Sequence, residues 1–324
     1  MSLFAKNVSA TITNFVLVGI IEIESFRYVC AVLALALFSV ALFMTSMIVY
    51  IIWTEKSLQE PMYILICMLV INGMLGNSSY FPKLAIDLLS GCSTISLAEC
   101  LCQSFCLQLY AWVEMYTFTV MAYDRYLAVG HPLRYHTLMT NITTQKISLA
   151  IYVLNVVKVA VSVLLTSKLT FCGVNINNVF CEIVSLQPLA CSDITINTIY
   201  GNTWTLLDSI SCLLVIVYSY IRTVIICLKL SAESSLKALH TLMTHILAFS
   251  IYGVTLLFVN FRNRLNRGSA STKLDVIIPL IGLGIATSVN PLIYGIRTKA
   301  LREKIVCNLY KMAGKTKFKK RLNW

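Results

Sequence analysis

The sequence predicts an all-α membrane protein: a bundle of seven transmembrane helices followed by a short amphipathic eighth helix. Three observations carry that prediction. Of 324 residues, 58% are hydrophobic and only 12% are charged, with a mean hydropathy of +0.78; a water-soluble domain carries about twice that charged fraction. Seven stretches are apolar over the roughly 20 residues that a helix needs to cross a hydrocarbon core. The two ends of the chain also differ in charge, as the ends of an odd-numbered bundle do.

The spans follow in order. Tyr28 to Trp53 is free of charge, and Pro61 to Pro82 is ended by Lys83. Leu101 to Ala122 is broken only by Glu114, Ile147 to Ser167 only by Lys158, and Ile194 to Ile221 only by Asp208. Thr241 to Phe261 carries just His245, and Val276 to Ile296 has no charge. Residues 1–25 then form an extracellular amino terminus, 26–296 the membrane domain, and 297–324 an amphipathic helix with a basic cytoplasmic tail. Met1 to Glu24 lacks the basic start, apolar run and cleavage site of a secretory signal. The first span is therefore expected to act as its own anchor.

Charge and glycosylation signals set the orientation. Ten of the 26 basic residues lie from Arg297 onward, against the single acid Glu303. A basic run beside a final span reads as a lipid-facing cytoplasmic tail, not as a nucleic-acid surface, in spite of the net charge of +12. The sequon Asn7-Val8-Ser9 is usable only on the opposite side. Cys100, Cys172, Cys181 and Cys191 then fall on the oxidising side, where disulfides persist. Four cysteines allow three pairings, and Cys92 and Cys102 lie close by, so spacing leaves the pairing open. Arg262, Arg264, Arg267 and Lys273 make a basic loop on the outer side, against the positive-inside trend. Attraction of anionic ligands is one account of it; contact with lipid headgroups is the other.

Motifs cluster at the span ends. Span three closes on Met121-Ala122-Tyr123-Asp124-Arg125-Tyr126-Leu127-Ala128-Val129, followed by His131-Pro132-Leu133-Arg134-Tyr135. Pro61-Met62-Tyr63 opens span two, Ser219-Tyr220 lies late in span five, and Lys237-Ala238-Leu239-His240-Thr241 with His245 enters span six. Asn290-Pro291-Leu292-Ile293-Tyr294 closes span seven. In this order the runs resemble the signature of vertebrate odorant receptors, a branch of the rhodopsin-like G-protein-coupled receptors. Phe81-Pro82-Lys83-Leu84 and Ile86-Asp87-Leu88-Leu89-Ser90 resemble the fish-type members.

The resemblance implies roles for residues that elementary physics already marks. An intramembrane charge is costly unless it is paired or faces a polar cavity. Asp124 beside Arg125 supplies such a pair, and the family role is an inactive-state lock that opens toward a G protein; a snorkelling arginine is the plain alternative. Pro291 removes a helical hydrogen bond and permits a kink, with Asn290 and Tyr294 beside it. Tyr126, Tyr220, Lys237, His240 and His245 complete the implied coupling surface. The resemblance further implies bridges from Cys100 to Cys181 and from Cys172 to Cys191, which would pin the long outer loop as a roof over a ligand cavity.

Candidate pocket residues are Gln108, Ala111, Trp112 and Met115 on span three, Trp204 and Asp208 on span five, Tyr252 on span six and Lys158 on span four, with Arg262 and Arg264 above. Lys158 and Asp208 each lie ~15–20 Å from the nearer span end, so they are expected to bind a polar ligand or one another. Ordinary helix packing is the competing account of the aromatics. After span seven, Ile296, Ala300, Ile305 and Leu309 recur near a helical period, and Cys307 is a palmitoylation candidate.

Some positions depart from the family. Thr45 stands where rhodopsin-like receptors usually carry Asn, and Gly73 where they carry Asp, with Asn72 beside it. A carboxylate pair for a sodium ion is thus incomplete, while Asn72, Glu114 and Asn290 remain as a polar cluster. No phosphate-binding Gly loop, metal-ligand spacing or nucleophile motif is present, so neither an enzyme nor a bound cofactor is expected. A secondary transporter would show duplicated halves or paired broken helices, and none is visible. The expected function is an odorant receptor in the plasma membrane (by resemblance, that of olfactory cilia). It would bind a small odorant and act on a stimulatory, olfactory-type heterotrimeric G protein, with membrane lipid as its surroundings and no nucleic-acid partner.

Overall fold

The computed structural model describes residues 12–229, 242–255, 282, 284 and 288–312. Long helices dominate it: α1 (Arg27–Thr54), α2 (Pro61–Ser90), α3 (Leu97–Gly130), α4 (Asn141–Ser167) and α5 (Thr195–Cys227). Leu242–Thr255 forms α6 and residues 288–297 form α7. The last described element is α8 (Lys299–Met312). Asn7, Lys237, His240, Arg262, Arg264, Arg267 and Lys273 lie outside the described residues.

Burial sorts the helices into a centre and a rim. α2 and α3 are buried along much of their length, including the polar residues Asn72, Asn77, Glu114 and Asp124. α1, α4 and α5 instead present large apolar side chains outward, among them Leu33, Val40, Phe43, Leu154, Val157, Leu206 and Leu214. A belt of that size on a water-soluble protein would drive aggregation. In a bilayer it is the lipid-facing surface, and helices associate there through packing and interhelical hydrogen bonds rather than through the hydrophobic effect.

Local chemistry explains several helix ends. Pro61 opens α2 at a position whose N–H would be unpaired anyway, and Gly91 closes it at φ 69°, a left-handed conformation that suits glycine. Lys83 does not end this helix, contrary to the sequence expectation. Its ammonium reaches Asp87 one turn on, at 2.6 Å, so the charge is carried within the helix as far as Ser90. α3 begins four residues before the apolar stretch because Ser96 and Glu99 form a reciprocal capping box. Thr140 caps α4, accepting from the Thr143 N–H at 3.0 Å.

At one end, a small sheet that the sequence does not announce closes over the bundle. Strand β1 (Asn14–Leu17) lies between β2 (Thr94–Ser96), antiparallel, and β3 (Asn175–Ile176), parallel. Phe15, Leu17, Ile20 and Ile23 are buried there with Tyr80, Phe171, Phe180, Cys100 and Cys181. Gly19 passes so close to Asn178 that a β-carbon would sit 2.7 Å from its backbone. Residues 14–23, just before α1, are therefore part of the packed end cap.

At the opposite end α8 docks on α1. Leu301 and Ile305 are buried with Ile48, Ile51 and Ile52, and Lys304 reaches Glu55 at 2.6 Å. The expected apolar stripe is thus only half right: Ile305 is buried, but Ile296 and Leu309 are exposed. Helix continuity breaks at Thr298, so Ile296 belongs to α7 and the period restarts in α8 with Leu301.

Candidate functional site

Four polar centres are placed along α3, from its disulfide-bonded end to its far end. At the disulfide end, Cys100 in the first turn of α3 is bonded to Cys181, and Cys172 is bonded to Cys191. Gln103, one turn below Cys100, ties the same loop a second time. Its Oε1 accepts the Cys181 N–H at 2.7 Å and its Nε2 donates to the Ser79 carbonyl at 2.9 Å. Sequence reasoning missed Gln103, although its place three residues after Cys100 puts both on one helix face. Cys92 and Cys102 are free and exposed.

In the middle, Glu114 is fully buried and joins three helices. Asn72 of α2 donates to its Oε2 at 3.0 Å, and Asn290 of α7 donates to its Oε1. Asn72 also donates to the Tyr110 carbonyl, and Tyr152 of α4 reaches Asn72 Oδ1 at 3.4 Å. The cluster expected from Asn72, Glu114 and Asn290 is present, next to Gly73 where the family's second carboxylate is missing. Thr45 is buried on α1, and its hydroxyl has no hydrogen-bond partner among the described residues.

On its side toward α4 and α5, α3 presents Trp112 and Tyr116 to a charged pair carried by those two helices. Lys158 and Asp208 pair with one another, and Tyr116 donates to the other Asp208 oxygen at 2.7 Å. The Lys158 ammonium also lies over three rings: Trp112 at 4.8 Å, Tyr116 at 5.2 Å and Trp204 at 5.6 Å. Tyr200 donates to the Lys158 carbonyl at 2.9 Å. Of the other pocket candidates, Met115 packs with Phe118, Cys212 and Tyr252 in one apolar cluster, and Tyr252 donates to the Ala111 carbonyl at 2.6 Å. Gln108 is half-buried one turn above Trp112.

At the far end of α3, Arg125 folds back on its neighbour. Its Nε and Nη2 donate to Asp124 Oδ2 at 3.0 and 2.5 Å, while Tyr135 donates to Oδ1 at 2.8 Å. Asp124 is buried completely and Arg125 is not. Burial, and next the Asp124 carboxylate beside it, raises the Tyr135 hydroxyl well above the ordinary phenol range, so it stays a donor at neutral pH. Tyr126 turns toward α5 and packs against Tyr218 and His131. His245 Nδ1 and the Tyr294 hydroxyl lie 3.1 Å apart, linking α6 to α7 beside Pro291. Tyr220 is half-buried on α5, and Cys307 is exposed on α8.

Squid rhodopsin superposes over 92% of this chain and 89% of its own with a TM-score of 0.72, at 14% identity, which establishes the fold. The family model "Olfactory receptor" matches residues 33–312. The chain belongs to the olfactory receptor family. Among its relatives, olfactory receptor 51E1 of Homo sapiens is 32% identical over 299 residues, covering 91% of this chain and 92% of the relative. Olfactory receptor 5AP2 of Mus musculus is 30% identical over 303 residues, covering 93% and 95%. This olfactory receptor is a multi-pass plasma-membrane protein of a signalling class without enzymatic chemistry, built as a seven-transmembrane bundle.

Proposed function

We propose that this receptor binds a small odorant between α3, α4, α5 and α6 near its disulfide-capped end, and that binding activates a stimulatory, olfactory-type heterotrimeric G protein at the other end. The observation that carries the reading is the closed Asp124-Arg125 pair, buried on its acidic side and accessible on its basic side. Such a pair holds the receptor silent and, once opened, frees Arg125 for a partner. The residues assigned to the cavity wall are Gln108, Ala111, Trp112, Met115, Lys158, Trp204, Asp208 and Tyr252, with Arg262 and Arg264, outside the described residues, as further candidates. Coupling residues are Asp124, Arg125, Tyr126, Tyr220, Lys237, His240, His245, Asn290, Pro291 and Tyr294. In this reading α6 moves when the His245–Tyr294 contact and the Pro291 bend rearrange.

The amino terminus lies outside the cell with Asn7 glycosylated, and α8 lies on the cytoplasmic leaflet with Cys307 open to palmitoylation. This orientation is tested at Cys92, an exposed thiol whose pKa is lowered by the Thr94 hydroxyl and then by the Thr94 backbone N–H. A membrane-impermeant maleimide is expected to label intact cells, and Cys92→Ser to reduce that label clearly. Labelling of Cys92 only after permeabilisation contradicts the orientation.

Coupling is tested by a cAMP screen of the heterologously expressed receptor against acids, amines, amino acids, bile acids, nucleotides and neutral odorants. Arg125→Ala is expected to lower the response at least tenfold at an equal surface level. An undiminished response in that variant removes Arg125 from the mechanism.

A further inference from the structure

We propose that the group formed by Lys158, Asp208, Tyr116, Trp112 and Trp204 selects zwitterionic ligands, free α-amino acids with an apolar side chain being the simplest members of the class. The inference rests on the odorant-receptor reading above and names the ligand class of that site.

The electrostatics of the group lead there. Lys158 of α4 and Asp208 of α5 are each other's counter-ion, with Tyr116 donating to the second carboxylate oxygen. Both side chains are largely removed from solvent, and the buried Glu114 carboxylate of α3 is already held by Asn72 and Asn290. A neutral ligand brings no counter-charge to either group, so the pair stays shut. A lone carboxylate that takes Lys158 leaves Asp208 with Tyr116 alone, and a lone ammonium that takes Asp208 leaves Lys158 among rings. Stranding one partner of a buried pair is strongly unfavourable. A ligand carrying both charges replaces each half of the pair at once: its carboxylate meets the Lys158 ammonium and its ammonium meets Asp208.

The aromatic setting fits the same ligand. Three rings within 6 Å of the Lys158 nitrogen form a cage whose faces stabilise an ammonium, whether the lysine's or the ligand's. Trp204, 41% exposed, is the indole that the proposal sets against the ligand's apolar side chain. The insertion also has a mechanical outlet. Lys158 and Asp208 hold α4 to α5, and α5 continues unbroken from Asp208 to Cys227 at the coupling end. Parting the pair frees the element that faces Tyr126 through Tyr218.

The test compares three ligand sets on the wild-type receptor in amino-acid-free buffer, read as cAMP. The sets are the common free amino acids, the matching amines without the carboxylate (3-methylbutylamine, 2-phenylethylamine), and the matching acids without the ammonium (4-methylpentanoic acid, 3-phenylpropanoic acid), with a panel of neutral odorants run alongside. At least one amino acid is expected to be ~100-fold or more as potent as both of its singly charged counterparts. Lys158→Met is expected to lose that response and favour the amine; Asp208→Asn is expected to favour the acid. A group that only clamps α4 to α5 would produce no such reversal of preference. Equal potency of an amino acid and its amine or acid overturns the proposal, as does a Lys158→Met/Asp208→Leu receptor that keeps the amino-acid response. A wild type that answers neutral odorants and no amino acid overturns the ligand class alone. Silence toward every compound at normal surface level removes the odorant-receptor reading beneath it.

Discussion

Replacing Cys100 with Ser is expected to abolish both surface display and signalling. The bridge closes a segment of 81 residues, and a cross-link of that span restricts the unfolded chain by about 4 kcal/mol in the loop-entropy account. It also holds Cys181, whose N–H is bound by Gln103, and through it the core of Phe15, Leu17, Tyr80 and Phe180 around the three-stranded cap. Losing the bond loosens the roof and the strand β1 that pairs with it. Cys181→Ser and the double variant should match Cys100→Ser, because each removes the same bond. Flow cytometry on an amino-terminal tag, with reporter cAMP, checks this. A Cys100→Ser receptor with normal surface level and normal response would mean that the bridge is dispensable. Cys172→Ser should be milder, since its bridge closes only 19 residues and lies within one loop.

Glu114→Ala carries the second large effect. Glu114 accepts from Asn72 on α2 and Asn290 on α7, so truncation removes the acceptor of one N–H on each amide, the other N–H of Asn72 still meeting the Tyr110 carbonyl, and opens a cavity between three helices. Each unsatisfied buried group costs about 1–3 kcal/mol, and interhelical hydrogen bonds in membranes sit toward the low end of such values. A loss of about 2–4 kcal/mol is expected, read as a fall in Tm of roughly 5 °C or more for the detergent-purified receptor. Glu114→Gln should fall between wild type and Ala: one amide oxygen still accepts, while its NH2 faces another donor. Wild-type Tm in the Ala variant would show that the Asn72-Glu114-Asn290 cluster contributes nothing to holding α2, α3 and α7 together.

How far the sequence reaches depends on the kind of signal. Long apolar runs read well because lipid on all sides demands continuous apolarity, so the five fully described spans fall where composition puts them. Their ends read less well. Ser96 and Glu99 start α3 early, and Lys83 stays inside α2, because caps and local ion pairs let polar residues extend a helix beyond its apolar body. The cap sheet is invisible in sequence: its strands have four, three and two residues, and their partners lie some 80 and 160 positions apart. Lys158 and Asp208 were legible as costly charges that would bind a polar ligand or one another; that they pair with each other is settled only once α4 and α5 lie side by side. Gln103 carried a usable signal, its helical spacing from Cys100, that is easily overlooked among apolar neighbours.

The central claim is that ligand at the disulfide-capped end changes the contacts of Arg125 at the other. Ligand-dependent nucleotide exchange on a purified stimulatory G protein, with the receptor in lipid nanodiscs, measures it most directly. The account predicts that an odorant active in cells accelerates exchange at least tenfold with wild type, and that Arg125→Ala removes this acceleration while ligand binding stays within threefold. Acceleration that persists in Arg125→Ala, or ligand binding without any acceleration in the wild type, would contradict it.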